Sequence, residues 1–556
     1  MTAAPPPKTT AFSVIAPYWK SHEKWGAWGL LGLLVFLLLI RTGLQVVFLI
    51  YGGELTSALA AQESDRFFQA VFIFAGILIV SVPFASVSSY VRAKLGLYWR
   101  TWLTRSYLNK YLNAQAFYKL RLKGDIDNPE QRIEEDVRTL TQQSLKLFEI
   151  VVESGFQLIG FAGLLWSISQ PLMLILVAYS VVGSAIAAFV FGKPLIRINT
   201  AQLNHEADFR YDLARIRENT EAIALYRGEQ QELNQSWQQF GRVFDNFTHL
   251  IRWQLGLNLF QNHYRYATFV IPGIILAPRL FAGALEIGDV TQAGAAFTLT
   301  LAALALIVLQ LQQLTSIGAA TRRLQQLTAA LNTPLHSLPA SQDSLPTIAL
   351  KIGPSLAIKN LSLMTPDGQQ QLIQSLSLSL PEGESLLVMG DSGVGKSSLL
   401  RAIAGLWQTG EGIIVRPEAI AFIPQRPYLP TGSLKNALLY PASALNGKPT
   451  EVQICQSLEA INLPNLMTHP LENPLSQPLS LGEQQRLAFA RLLLHAPRYA
   501  ILDEATSALD LPNEAQLYQQ LQSKAIVPIS IGHRPSLQQY HQHLLTLSAD
   551  GSWQYV

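Results

Sequence analysis

The 556-residue chain has one cysteine, Cys455, so it can form no internal disulfide and no cysteine cluster for a metal. Cys455 reads as a packed thiol. Charge is scarce as well. Asp, Glu, Lys and Arg make up 14% of the residues, where an ordinary soluble chain carries about 25%. The net charge of +3 is too small to argue for nucleic acid as a partner. The deficit of charge is uneven: the first 320 residues hold long apolar runs, and the last 200 have the make-up of an ordinary globular domain.

The first apolar run, residues 27–50, is much longer than the core of a secretory signal, about 7–15 residues. It is expected to stay as a membrane anchor. A spanning helix needs about 20 mostly apolar residues. Six stretches qualify: 27–50, 67–90, 148–168, 171–192, 263–284 and 293–316. Ahead of them, Phe12, Ile15, Tyr18, Trp19, Trp25 and Trp28 alternate with Lys20 and Lys24, a mixture suited to an interfacial helix. The third and fourth stretches are separated by so few residues that they form a tight hairpin. Residues 91–147 and 193–262 are long, rich in Lys and Arg and poor in Gly and Pro. They read as cytoplasmic continuations of the spanning helices, which also places both termini in the cytoplasm.

Some polar residues fall inside the spans. Glu149, Glu153 and Gln157 share one face of the third span. Asn258, Asn262, Arg265 and Thr268 form a stripe on the fifth, and Arg41 lies mid-way along the first. Such groups turn toward protein or water. Two readings stand side by side: a structural Glu–Arg pair between helices, or a substrate cavity lined by Arg41, Glu149, Glu153 and Arg265.

The second half centres on Gly390-Asp391-Ser392-Gly393-Val394-Gly395-Lys396-Ser397-Ser398, which fits G-x-x-x-x-G-K-[ST]. An apolar strand precedes it and a helix follows. Glycines let backbone N–H groups cradle phosphate oxygens, and the helix N-terminus adds its positive end. Lys396 can reach the β/γ-phosphates and Ser397 can ligate magnesium. Four more features follow in order. Gln425 ends a strand, where its amide can ligate magnesium. Ser480 and Gly482 in LSLGEQQR stand before a helix that can bind a phosphate, and the strand–helix order points them at a partner's nucleotide. Asp503 and Glu504 end the apolar strand YAILD, with Asp503 on magnesium and Glu504 polarising water. His533 follows another apolar strand and can bond the γ-phosphate.

From Gly390 to His533 the chain resembles the nucleotide-binding domain of ATP-binding cassette (ABC) transporters. LSLGE departs from the usual LSGGQ at Leu481 and Glu483, while Ser480 and Gly482 are kept. Where many members stack an aromatic ring on adenine, this chain offers Thr365, which implies looser purine selectivity. Residues 128–136 (NPEQRIEED) and 218–232 (ENTEAIALYRGEQQE) resemble stretches of the subfamily D half-transporters and of bacterial relatives grouped with the SbmA/BacA peptide transporters.

The resemblance implies a type IV, exporter-like fold: an α-helical membrane domain with six transmembrane helices, plus an α/β P-loop nucleotide-binding domain. It implies ATP and magnesium as cofactors, and a domain-swapped homodimer in the lipid bilayer. Residues 128–136 and 218–232 would be its coupling segments. Glu504, His533 and Gln425 are the expected catalytic group. Gly390–Ser398 with Ser480, Gly482 and Glu483 is the expected ATP set, and Ser397, Gln425 and Asp503 are the expected magnesium ligands. The expected domains are an N-terminal tail and interfacial helix (1–26), a transmembrane domain (27–320), a linker (321–354) and a nucleotide-binding domain (355–556). The transported solute is expected among cobalamin, peptides and fatty acyl-CoA esters, and the membrane is expected to be the bacterial cytoplasmic one. An ATP-gated channel or regulatory ATPase is the alternative.

Overall fold

The computed structural model describes residues 12–123, 126, 128–304, 310–332, 347–366, 368–441, 449–467, 469–474 and 479–556. The chain divides into two compact units, Met1–Pro334 and Leu335–Val556.

The first unit is helical. Its main helices are α1 (Phe12–Lys20), α2 (Lys24–Ala60), α3 (Ser64–Leu112), α4 (Pro129–Ile168), α5 (Gln170–Glu218), α6 (Glu229–Phe281), α7 (Ile287–Leu304) and α8 (Leu311–Asn332). Among the described residues, five helices are long and apolar enough to cross a membrane: α2, α3, α4, α5 and α7. The fifth predicted stretch lies on α6, which runs unbroken to Phe281. His263, Arg265 and Arg279 make that stretch too polar for α6 to join the five by composition. The sixth begins within α7; residues 305–309 lie outside the described residues, and its last positions open α8.

At 49 residues, α3 and α5 are each about 75 Å long, more than twice a hydrocarbon core of about 30 Å. Their polar ends therefore continue past the apolar layer, as the composition of residues 91–147 and 193–262 predicts. The hairpin between α4 and α5 turns on Ser169, whose hydroxyl accepts from the Leu172 N–H at the start of α5.

Three contacts show how the helices are held. Gly288 in α7 meets α2 so closely that a Cβ there would lie 2.1 Å from the Gly53 carbonyl oxygen. Its N–H donates to Ser57 Oγ at 3.0 Å. Gly288→Val is expected to cost roughly 1–3 kcal/mol through overpacking, read as a lower unfolding temperature in detergent. An unchanged temperature would show that α7 can back away from α2. Next, Tyr179 of α5 and Tyr264 of α6 stack at 4.4 Å, and each hydroxyl donates to the other residue's carbonyl, at 2.9 and 3.0 Å. Finally, Arg66 joins Glu54 of α2 to Glu286 ahead of α7 at one end of the bundle.

α1 is more than a surface helix. Val14 and Tyr18 are buried, and Tyr18 stacks on Trp99 of α3, while Trp25 and Trp28 are exposed. The two stretches expected to be coupling segments differ. In residues 128–136, Arg132, Ile133 and Asp136 are buried. Arg132 donates to the Arg323 carbonyl (3.0 Å) and to Gln326 Oε1 (3.1 Å) of α8, and Asp136 pairs with Arg323. By contrast, Thr220–Tyr226 is a short helix that exposes Leu225 and Tyr226. The region assigned to the linker also needs correcting at both ends. Residues 321–332 are the end of α8, whose Leu324 and Leu327 are fully buried. β1 (Ala349–Ile352) already belongs to the next unit, paired with β5. Leu324 and Leu327, buried at helical spacing, carry α8 on to Asn332, while 333–346 of the expected linker lie outside the described residues.

The second unit holds two sheets. One has the order β1, β5 (Gly410–Arg416), β2 (Ala357–Met364), β3 (Gln371–Ser379). The other has the order β10 (Trp553–Tyr555), β9 (His543–Leu547), β4 (Leu386–Gly390), β8 (Val527–Ile531), β7 (Tyr499–Asp503), β6 (Ile420–Ile423). In the latter, β9, β4, β8, β7 and β6 run parallel. Parallel strands are covered on both faces, which is why LLVM, YAIL and VPISI read as near-continuous apolar runs. Because they are parallel, the C-terminal ends of β4, β6, β7 and β8 meet along one edge of the sheet, the place where open α/β sheets bind ligands.

Candidate nucleotide site

β4 ends at Gly390, whose φ of +146° and position against the Leu547 carbonyl oxygen leave no room for a Cβ. The chain then turns through Asp391–Val394 to Gly395, with φ of +99°, the N-cap of α9 (Lys396–Ile403). Val394 turns inward and joins the core, so its contribution to the loop is its backbone. Asp391, Ser392 and Gly393 are exposed. Lys396 folds back over the loop: Nζ donates to the carbonyls of Gly390 (2.8 Å) and Asp391 (2.6 Å). Burial pushes the Lys396 pKa down, against the upward pull of Glu504, Asp391 and Asp503.

The neighbouring strand ends supply the rest. Ser397 Oγ donates to Asp503 Oδ1 at 3.3 Å. Burial, helped by the Glu504 charge, holds the Asp503 pKa above the usual carboxylate range. Glu504 is gripped from two sides: Gln425 Nε2 donates to Oε2 and His533 Nε2 lies against Oε1, both at 2.7 Å. Lys396, Ser397, Gln425, Asp503, Glu504 and His533 are thus brought together, the first two from the first turn of α9 and the others from a strand end or its following loop. The hydroxyl, amide and carboxylate of Ser397, Gln425 and Asp503 offer the hard oxygen donors that magnesium takes.

Ser480 caps α10 (Leu481–His495) in a reciprocal capping box with Glu483. Glu483 Oε2 accepts from the Ser480 N–H and hydroxyl, both at 2.8 Å. These bonds hold the Glu483 pKa low, and they engage its side chain within its own helix turn. Thr365 is likewise engaged locally: its hydroxyl accepts from the Gln370 N–H at 3.1 Å.

The polar residues of the spans sort into two places. Arg41 pairs with Glu153, lies 3.7 Å from Glu149 and reaches Ser88 at 3.4 Å, while Arg92 holds Glu149 at 2.6 Å. Arg265 does not join them. Its guanidinium bonds Asn262 (3.0 Å), lies over the Tyr266 ring and is exposed. The pattern of polar residues along α6 marks a face but does not say which helix that face meets.

Gln485 is a site residue that the sequence reading does not single out. It is fully buried and bonds Gln425, Glu504, Ser507 and Ala508. A signal was present: Gln485 stands on the same helix as the buried Leu487, Ala488, Phe489 and Leu492, where an unpartnered amide would be costly.

Lys396→Ala removes the only side chain of the loop that brings a positive charge to the phosphates. It is expected to weaken ATP binding by roughly 2–5 kcal/mol, checked by nucleotide titration of the purified protein. Tight binding retained in this variant would contradict the assignment of Lys396.

A phosphate loop, acidic strand end and capped signature helix on one parallel sheet, in a chain with several apolar spanning helices, define a membrane-embedded nucleotide-binding ATPase. Comparison with known proteins agrees. Residues 14–281 match the ABC transporter transmembrane region 2 family, and residues 373–507 match the ABC transporter family. An uncharacterized ABC transporter ATP-binding protein of Synechocystis is 41% identical, over 96% of this chain and 82% of the relative. ABC transporter D family member 2, chloroplastic, of Arabidopsis thaliana is 36% identical, over 97% and 85%. The lysosomal cobalamin transporter ABCD4 of Homo sapiens is 29% identical, over 98% and 94%. The chain belongs to the ABC transporters, as a half-transporter of subfamily D with its membrane region and ATPase fused. It is an integral membrane protein whose ATPase domain binds ATP and couples hydrolysis to transport.

Proposed function

We propose that two copies of this chain form a homodimeric translocase that moves a solute by alternating access. The observation that carries this reading is the meeting of Lys396, Ser397, Asp503, Glu504, Gln425 and His533 at one sheet edge, while the bonds of Ser480 stay within its own helix turn. A second copy turned head to tail supplies Ser480 and Gly482 to the γ-phosphate, at a helix N-terminus. Residues 390–398 cradle the phosphates. Ser397, Gln425 and Asp503 would hold magnesium, which when bound would supply positive charge to offset that developing on the phosphates. Glu504 polarises the attacking water, and His533 bonds the γ-phosphate. Both sites carry Glu504, so both hydrolyse. ATP prefers the closed pair, and that difference in affinity shifts the population.

Thr220–Tyr226, with its exposed Leu225 and Tyr226, is the segment we assign to coupling. Of the four residues proposed for the cavity, Arg265 keeps an exposed guanidinium and is assigned to the solute. Arg41, Glu149 and Glu153 are assigned to holding α2 against α4. We place the ATPase and both termini in the cytoplasm of a bacterium, with the spans in its inner membrane. Cobalamin heads the solutes to test, because the human relative is named for it; peptides and acyl-CoA esters follow. The test is ATP-dependent accumulation of labelled cobalamin in sealed vesicles of known orientation. A pump concentrates its solute; a gated channel stops at equal concentration, and that outcome would overturn the reading.

A further inference from the structure

Gln485 stands on α10 beyond its Ser480 cap and has no exposed surface. Its Nε2 donates to the Gln425 carbonyl (3.1 Å), the Ser507 hydroxyl (3.1 Å) and, more weakly, the Glu504 carbonyl (3.4 Å). Its Oε1 accepts from the Ala508 N–H at 3.0 Å. A buried amide with both ends satisfied is a rigid joint. Each partner belongs to a different part of the site: Gln425 follows β6, Glu504 follows β7, and Ser507 and Ala508 lead toward Asp510.

The Glu504 backbone needs such support. Its φ of +47° is a left-handed state that a non-glycine residue keeps only when its surroundings enforce it. Its N–H donates to the Ile531 carbonyl (3.0 Å), and its carbonyl takes the Ser507 N–H (3.0 Å) as well as the Gln485 amide. At the front of α10, Gly482 is also close to this loop, with its Cβ direction 3.1 Å from the Ala508 carbonyl oxygen. A helix is stiff over this span, about 7 Å from Ser480 to Gln485. A push at its N-terminus is therefore felt at Gln485.

We infer that Gln485 is a positioning residue that couples the two ATP sites: movement of α10 on meeting the partner subunit's nucleotide passes through the Gln485 amide to the Glu504 and Gln425 backbones of its own subunit. This inference rests on the paired-site reading above. Gln485 touches no reacting atom; it acts by setting where Glu504 stands when water attacks the γ-phosphate.

The test uses the full-length protein in lipid vesicles, with ATP turnover measured against ATP concentration, nucleotide binding by titration, and thermal unfolding. Gln485→Met keeps the volume and removes all four bonds. It is expected to lower kcat about 10²-fold, as a misplacement near 1 Å does. The half-saturating ATP concentration stays near wild type, the unfolding temperature falls modestly because the Ala508 N–H loses its acceptor, and the Hill coefficient falls from about 2 toward about 1. Wild-type kcat in this variant would overturn the inference. So would losses of kcat, ATP binding and unfolding temperature in equal step, since those mark a merely structural residue. Should Gln485→Met not fold, Gln485→Glu still accepts from Ala508 but has at most one O–H, and so cannot serve the Gln425 and Glu504 carbonyls and Ser507 together as the amide does; wild-type kcat there overturns the inference equally. Failure of the paired-site reading looks different: the wild-type protein itself would show a Hill coefficient of about 1 and no closed dimer, while kcat of the variants would still report on Glu504 placement.

Discussion

Glu504→Gln is expected to keep ATP binding and to lower steady-state hydrolysis about 10²–10⁴-fold, the usual contribution of a positioned base. The two side chains have the same shape, so the packing is kept; of the contacts with Gln425 and His533, both at 2.7 Å, the new amide oxygen can take one and its NH2 meets the other partner only if that partner turns an acceptor to it. What is lost is the charge that draws a proton from the attacking water. Nucleotide binding rests on Gly390–Ser398, which the substitution does not touch. ATP therefore enters, the two copies close, and the closed state persists because the step that ends it is blocked. Two measurements check this: ATPase rate in vesicles, and cross-linking of introduced cysteines across the ATPase pair with and without ATP. Near-normal turnover would remove Glu504 from the catalytic role. Blocked turnover without a closed pair would leave the base in place but contradict the clamp.

Arg41→Ala is expected to destabilise the membrane unit by roughly 3 kcal/mol or more, because it strands a partly buried carboxylate that has lost its partner. Glu153 on α4 pairs with Arg41 and accepts from Gln157 at 3.4 Å, but among the described residues no second cation shares it as Arg92 shares Glu149. Replacing Arg41 and Glu153 together by leucine is expected to recover most of the loss, since an apolar pair of similar volume removes both charges at once. Unfolding temperature in detergent, measured for the single and double variants, decides the point. A single variant as stable as wild type, yet altered in transport, would return Arg41 to a cavity lining. The same measurement on Arg265→Ala is expected to show little loss of stability, because that guanidinium is exposed and among the described residues meets only its helix neighbours Asn262 and Tyr266.

Much of the nucleotide site was legible in the residue order. Each piece is local: an apolar strand followed at once by the residues that do chemistry. Because the strands run parallel, reading each strand end in turn was enough to assemble Lys396, Ser397, Gln425, Asp503, Glu504 and His533. The spans were legible for a similar reason, since a run of apolar residues long enough to cross lipid has few other stable places to go. Even the ends of the long helices followed from composition. The linker was less legible: residues 321–332 lack a strong apolar run, yet Leu324 and Leu327 are buried at helical spacing.

The amino-acid order by itself determined the class of protein, the phosphate loop, the acidic strand end and the presence of several spanning helices, because short-range periodicity and motif spacing carry all of these. Only the tertiary structure decided that Arg41 pairs with Glu153 while Arg265 stands apart, that Arg132 and Asp136 fasten α4 to α8, and that Gln485 lies under Glu504. Those pairings join residues far apart in the chain. They depend on how helices cross and how far apart their backbones lie, and a pattern read along one element holds no information about which neighbour it will face.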